Sequence, residues 1–154
     1  MSEHPLKKIL CTERLILREI QSSDWEAIHR YASHPGGVRY MEWGPNSEGD
    51  TKAFVETVIA EQEAIPRRGY DLAIVLKETS RLIGTCSLRL SGGDLEEAEI
   101  GYCLSRAVWN KGYATEAVAG IIHFGRETLG VPGSLPRLIL TTPPLSGFWR
   151  KSVW

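Results

Sequence analysis

The sequence predicts an α+β layered fold, a mixed and mostly antiparallel sheet flanked by helices, with elements in the order β-α-α-β-β-β-α-β. Three observations lead there. Apolar residues recur at helical spacing in stretches before and after a run of β-rich segments. Short polar turns separate those segments, as antiparallel hairpins require. One helix then crosses to a last β-rich run, which makes the sheet mixed. No repeat and no linker divides the 154 residues, so a single domain over 1–154 is expected.

The elements follow in order. Arg14-Leu-Ile-Leu-Arg18 is the first β-rich segment. Ser23-Asp-Trp-Glu26 reads as a capping box, with Ser23 as N-cap and Glu26 at N3. The helix it opens should reach about Ser33 and turn Trp25, Ile28 and Tyr31 inward, until His34-Pro-Gly-Gly37 breaks it. The loop from Gly36 to Asn46 carries Tyr40, Met41 and Trp43. A second helix, about Glu48 to Ala64, sets Phe54, Val55, Val58 and Ile59 on one stripe, and Pro66 ends it. Strands at Asp71–Lys77 and Leu82–Leu90 flank the turn Glu78-Thr-Ser80, and Ser91-Gly-Gly-Asp94 leads into a strand at Glu97–Leu104. In that strand Ala98, Ile100, Tyr102 and Leu104 share one face, and Glu97, Glu99, Gly101 and Cys103 share the other. A third helix from about Tyr113 to Leu129 should bury Ala114, Ala117, Val118, Ile121 and Ile122, with Gly130 and Pro132 as stop signals. Leu138-Ile-Leu140 is the last strand.

Composition narrows the function classes. Net charge is −1, which argues against a nucleic-acid or membrane-surface partner. Cys11, Cys86 and Cys103 are widely spaced, with no CxxC pair, and read as reduced thiols. His4, His29, His34 and His123 show no metal-ligand spacing, so no metal is expected; the last three read as surface or packing residues. The first residues lack an apolar signal core, and the longest apolar run, Leu72-Ala-Ile-Val-Leu76, is far too short to span a bilayer. A cytoplasmic location is the expectation.

The stretch from Glu99 to Ala117 carries the most chemistry. It reads as a strand, a turn and a helix opened by Gly112. A glycine there lets a ligand approach the backbone, and the first helical amides have no intrahelical acceptor. Asn110, Lys111, Gly112, Tyr113 and Ala114 would present N–H groups to an anion, aided by the helix dipole and by the Lys111 charge. Neither a Walker loop nor a GxGxxG fingerprint is present. Glu116, in the first turn, reads as helix-start electrostatics.

Four segments stand in order: Thr12-Glu-Arg-Leu-Ile-Leu-Arg18, Leu82-Ile-Gly-Thr85, Glu99-Ile-Gly-Tyr102 and Trp109-Asn-Lys-Gly-Tyr-Ala-Thr-Glu-Ala117. Together, over about residues 12 to 140, they resemble the GNAT superfamily of N-acetyltransferases, in particular its ribosomal-protein-N-acetyltransferase (RimJ/RimL-like) subgroup. The family's loop motif, Arg/Gln-x-x-Gly-x-Gly/Ala, stands here as Trp109-x-x-Gly112-x-Ala114. The resemblance implies an enzyme, an acyltransferase that moves acetyl from acetyl-CoA, as co-substrate, to a primary amine by direct attack in a ternary complex. The amine would belong to a protein N-terminus or a small molecule. The resemblance also implies a splayed sheet, with the pantetheine arm along Tyr102, Cys103, Leu104 and Ser105. The diphosphate would sit on Trp109, Asn110, Lys111, Gly112, Tyr113, Ala114 and Thr115, and the acetyl carbonyl near a strand bulge, polarised by a backbone N–H. Tyr40, Met41 and Trp43 fall where the family's acceptor loop would be, or else cover the sheet.

The attacking amine must be neutral. An α-amino group titrates near ~8 and a lysine near ~10.4, so a base is needed. Glu99, just before the implied thioester position, is the candidate catalytic base, through one water, and Glu97 on the same face is second.

The tail departs from the resemblance. Thr141-Thr-Pro-Pro-Leu-Ser-Gly-Phe-Trp-Arg-Lys-Ser-Val-Trp154 lacks the family's Asp-Pro-x-Asn-x-x-Ser-x-Arg-Val-Leu-Glu-Lys segment and its usual thiolate acid. Back-translated from the third base of Gly147, the tail permits Val-Leu-Glu-Lys, and upstream positions permit Asp-Pro, so a frameshift near Thr141 is the expectation. An open sheet edge, with Trp149, Val153 and Trp154 beside it, would then favour self-association into a homo-oligomer. The alternative reading is a catalytically impaired, truncated homologue that only binds CoA or self-associates. Sequencing the gene tests the frameshift: the second frame should encode that segment and further family-like sequence, and a second frame without it removes the idea.

Overall fold

Among the described residues, six strands form one sheet whose spatial order is the chain order. The computed structural model describes residues 8–33, 47–91, 97–128 and 137–140. Its elements are β1 (Lys8–Cys11), β2 (Leu15–Glu19), a 3-10 turn (Ser22–Asp24), α1 (Trp25–Ala32), α2 (Glu48–Gln62), β3 (Gly69–Leu76), β4 (Leu82–Ser91), β5 (Glu97–Leu104), a second 3-10 turn (Arg106–Val108), α3 (Tyr113–Glu127) and β6 (Arg137–Leu140). Strands β1 to β5 pair antiparallel, and β6 joins β5 in parallel after the α3 crossover. This is the expected α+β layered architecture.

Strand periodicity divides the core into two layers. On one face Leu15, Leu17, Leu72, Ile74, Leu88, Ile100 and Tyr102 pack against Val118, Ile121, Ile122 and Phe124 of α3. On the other, Ala73, Val75 and Cys103 meet Ile28, Tyr31 and Ala32 of α1 and Val55 and Val58 of α2. The run Leu72–Leu76 is continuously apolar because β3 is covered on both sides. Tyr31 also fixes α1 to the sheet by donating its hydroxyl to Thr85 Oγ1 at 3.1 Å.

Several expectations change in detail. β1 was not anticipated: four residues beginning at a lysine give no alternation to read, and the strand exists because it pairs with β2. The chain enters α1 through a 3-10 turn, so the capping contact falls earlier than the Ser23/Glu26 box. The Gln21 N–H donates to Asp24 Oδ2 at 2.8 Å, and Arg18 holds the same carboxylate at 2.8 and 3.0 Å. Trp25 is only half-buried, with Lys52 Nζ 4.3 Å above its ring. In α2, Ser47 and Asp50 form the cap, the helix ends at Gln62 before Ala64, and Thr51 is buried beside Val55 and Val58 while Phe54 and Ile59 are half-buried. Thr51 Oγ1 lies 2.8 Å from His29 Nδ1, which makes His29 a packing residue, as expected. His34, the loop with Tyr40, Met41 and Trp43, the 92–96 turn, Gly130, Pro132 and the tail with Trp149, Val153 and Trp154 lie outside the described residues.

The β4–β5 ladder runs without a break from Gly84↔Leu104 to Ser91↔Glu97, so β5 has no bulge; the irregularity lies one strand over, in β3–β4 between Ile74 and Val75. Gly84 permits the regular ladder, because a Cβ there would stand 2.3 Å from the Cys103 carbonyl oxygen.

Ile121 is 0 % exposed at the centre of the α3 layer. Ile121→Ala should therefore cost about 2–5 kcal/mol, read as a lower urea midpoint at unchanged slope.

Candidate functional site

The start of α3 and the end of β5 come together through short local chemistry. After β5 ends at Leu104, the Ser105 N–H donates to Ile83 O at 2.8 Å and keeps the chain on the sheet. The Trp109 indole Nε1–H then donates to Leu104 O at 2.9 Å, folding the connection back on the strand end. Asn110 and Gly112 take left-handed backbone, with φ of 64° and 82°, and turn the chain into α3. The first helical bond is Glu116 N–H to Gly112 O at 3.1 Å. The amides of Tyr113, Ala114 and Thr115 therefore have no intrahelical acceptor, at the positive end of a fifteen-residue helix.

Asn110, Lys111 and Gly112 are exposed, and Trp109 and Tyr113 are half-buried, so this group of amides opens to solvent. Tyr102, Cys103 and Leu104 have buried side chains, which leaves backbone as what that segment presents. Burial pushes the Cys103 thiol up to about 12, and Cys86 higher still, so both stay protonated. Among the described residues β6 pairs with β5 from Glu97↔Arg137 to Ile100↔Leu140, and Gly101–Leu104 pair only with β4.

Glu116 holds the helix start in place, a role that a reading of helix-start electrostatics understates. Its carboxylate accepts from Thr12 Oγ1, from the Arg14 N–H at 2.7 Å and from Arg14 Nε at 2.7 Å, so the β1–β2 turn is tied to the first turn of α3. Arg14 Nη1 also reaches Lys111 O at 2.9 Å, and its guanidinium lies 4.4 Å above the Tyr113 ring. Burial would raise the Glu116 pKa, but the hydrogen bonds from Thr12 and Arg14 and the guanidinium charge outweigh it and hold the carboxyl below its ordinary value.

Glu99 is half-buried and lies, at 3.3 Å per residue, about 17 Å along β5 from Leu104. By alternation it shares the face of Gly101 and Cys103, and it stands directly opposite Arg89 of β4. Arg89 Nη2 donates to both oxygens of Asp71 at 3.0 and 3.1 Å. Burial pushes the Asp71 carboxyl up, against the lowering effect of Arg89 and Arg67. The sequence reading named Glu99 as a base but gave no role to the Asp71–Arg89 pair; a charge at the head of the apolar β3 run was the available signal. Glu97 occupies the first position of β5. Among the described residues no group of His, Cys, Asp and Glu is arranged to hold a metal, and no helix is long and apolar enough to cross a membrane.

Comparison with known proteins gives concordant findings. Residues 14–144 match the family described as an acetyltransferase (GNAT) domain. An uncharacterized N-acetyltransferase of Bacillus licheniformis, p20, is 33% identical over 122 residues, covering 79% of this chain and 68% of its own length. The crystal structure of a GNAT-family acetyltransferase from Bacillus anthracis superposes with a TM-score of 0.68 at 27% identity, over 79% of this chain and 68% of that one. The microcin C7 self-immunity acetyltransferase MccE, solved with acetyl-CoA and AMP, shares the fold at a TM-score of 0.63 and 22% identity, over 77% of this chain and 66% of that one.

The depressed Glu116 pKa has a defined sign. The ionised carboxylate stabilises the fold fully above its ordinary value of 4.5, and that contribution is lost as pH falls below it through the folded-state value. In urea unfolding, Glu116→Gln should be less stable than the parent at pH 7, and the gap should narrow steadily below about pH 4.5.

Proposed function

Since the chain belongs to the GNAT acetyltransferase domain family, we propose that it transfers the acetyl group of acetyl-CoA to a primary amine by direct attack within a ternary complex. The observation that carries this reading is the Gly112-opened start of α3 beside the end of β5. The diphosphate of acetyl-CoA sits on the amides of Asn110 to Thr115. The pantetheine arm runs from there along the Tyr102–Ser105 edge, where β4 is the sole described partner of Gly101–Leu104. An extended arm along this edge brings the thioester toward Ile100 and Glu99. Because β5 carries no bulge, polarisation of the acetyl carbonyl falls to an N–H of a regular strand edge.

Glu99 is the proposed base. The amine nitrogen attacks the thioester carbonyl, its proton passes through one water to the Glu99 carboxylate, and the thiolate of CoA leaves. Arg89, opposite on β4 and tied to Asp71, limits the negative charge of that face. The order of the Thr12–Arg18, Glu99–Tyr102 and Trp109–Ala117 segments favours the ribosomal-protein N-acetyltransferase subgroup. Protein N-terminal amines and small amines are therefore the acceptor classes to screen. In keeping with such enzymes we place the chain in the cytoplasm, and the outer edge of β6, which no other described strand covers, is the proposed route to a homo-oligomer.

Calorimetric titration with acetyl-CoA should give micromolar binding that is lost in Gly112→Asp, which sets a carboxylate among the phosphate-facing amides. A folded wild-type protein without binding would sink the reading. With an acceptor in hand, Glu99→Gln should lower kcat by about 10²–10⁴-fold at unchanged acetyl-CoA affinity; an unchanged kcat removes Glu99 from the mechanism.

A further inference from the structure

The loop's motif position that carries Arg or Gln in the family carries Trp109 here, and its indole is committed to Leu104 O. Arg106, earlier in the connection, lies 5.7 Å from the Trp109 ring centroid, and within Trp109–Thr115 Lys111 is the only cation. A second one stands over it from another element. Arg14, in the β1–β2 turn, spends Nε on Glu116 and Nη1 on Lys111 O. Its Nη2 has no acceptor among the described residues and lies 3.2 Å from where a Cβ on Gly112 would be. The guanidinium is therefore held at the mouth of the amide cluster with one face of its fork unspent, and its side chain is 42% exposed.

The geometry points to Arg14 as a direct ligand of the diphosphate of acetyl-CoA, delivered from the β1–β2 turn and replacing the polar side chain that Trp109 displaces. This rests on the proposed placement of the diphosphate on Asn110–Thr115. Several features fit a phosphate ligand better than a brace alone. A guanidinium fork suits two phosphate oxygens. Two of its donor positions are fixed by Glu116 and Lys111 O, so little freedom remains to be lost on binding. Glu116 carries a negative charge into the first turn of α3, where it would repel a phosphate, and Arg14 neutralises it in the same contact. Gly112 gains a second reason to lack a side chain, because one would push into the guanidinium.

The test is calorimetric titration with acetyl-CoA across a range of salt concentrations, on wild type, R14Q, R14K and E116Q, with melting curves to confirm folding. R14Q should weaken binding about tenfold or more and flatten its dependence on salt, as loss of one charge-assisted phosphate contact requires. E116Q, which loosens the same joint but keeps the guanidinium and removes the repelling carboxylate, should show a salt dependence at least as steep as that of wild type. R14Q binding as tightly as wild type overturns the assignment. Weaker binding in R14Q with an unchanged salt slope also overturns it, leaving Arg14 a brace. If R14Q does not fold, R14K decides: a lysine ammonium has no planar fork to span Glu116, Lys111 O and two phosphate oxygens at once, so affinity should fall several-fold, and wild-type affinity overturns the proposal. Absence of binding by folded wild type is a separate result, which removes the diphosphate site itself and this inference with it.

Discussion

One carboxylate fixes the start of α3, on which the proposed site depends. A site made of backbone amides has no side chain to adjust, so its donors converge only if the helix start is rigid relative to the sheet. Glu116 supplies that rigidity by receiving Thr12 Oγ1 and two donors of Arg14 across a sequence separation of more than a hundred residues. Hydrogen bonds to charged groups contribute about 1.5–3 kcal/mol each when they are well formed. The same residue sits where the helix dipole favours an anion, so local and tertiary preferences agree.

The two faces of the sheet divide the labour. The α3 face is apolar from Leu15 to Phe124 and anchors the helix. The opposite face is apolar only where α1 and α2 cover it; farther along the same strands it carries Asp71, Arg89 and Glu99. Ion pairs secure the boundary: Arg18 with Asp24 fastens the entry to α1, and Arg67 with Glu19, at 2.6 and 2.8 Å, fastens the approach to β3. Each is largely buried and bidentate, the geometry in which an ion pair specifies an arrangement. A molecule approaching from this side would meet a wall of fixed charge, while the Gly101–Leu104 edge of β5 presents backbone.

The sequence was most legible where the signal was local and periodic. β5 occupies Glu97–Leu104 as expected, α3 starts at Tyr113, and its buried stripe is the one read from spacing. β1 was missed because four residues cannot display a period, and the cap of α1 was misplaced because Asp24 answers to Arg18 and Gln21, not to Ser23. At the start of α3 the Gly112-opened helix was readable, since glycine at a helix start is a backbone statement. Arg14 was quoted in a motif but given no role, and the bond from Trp109 to Leu104 O was not foreseen. Both depend on where separate elements meet, which no window of sequence contains. The regular ladder of β5 was hidden for a similar reason: its register depends on a bare glycine in the neighbouring strand.

Strand order identical to chain order has a kinetic consequence. Each strand finds its partner in the segment just before it, so β3, β4 and β5 can zip as a meander with only short loops to close. Two closures are long: β2 onto β3 around α1 and α2, and β5 onto β6 around α3. The entropic barrier to assembly therefore lies mainly in bringing the β1–β2 hairpin and the α3 crossover onto a meander that needs neither to form. The amide cluster lies where the hairpin and the crossover meet, so it is complete only once both closures are made.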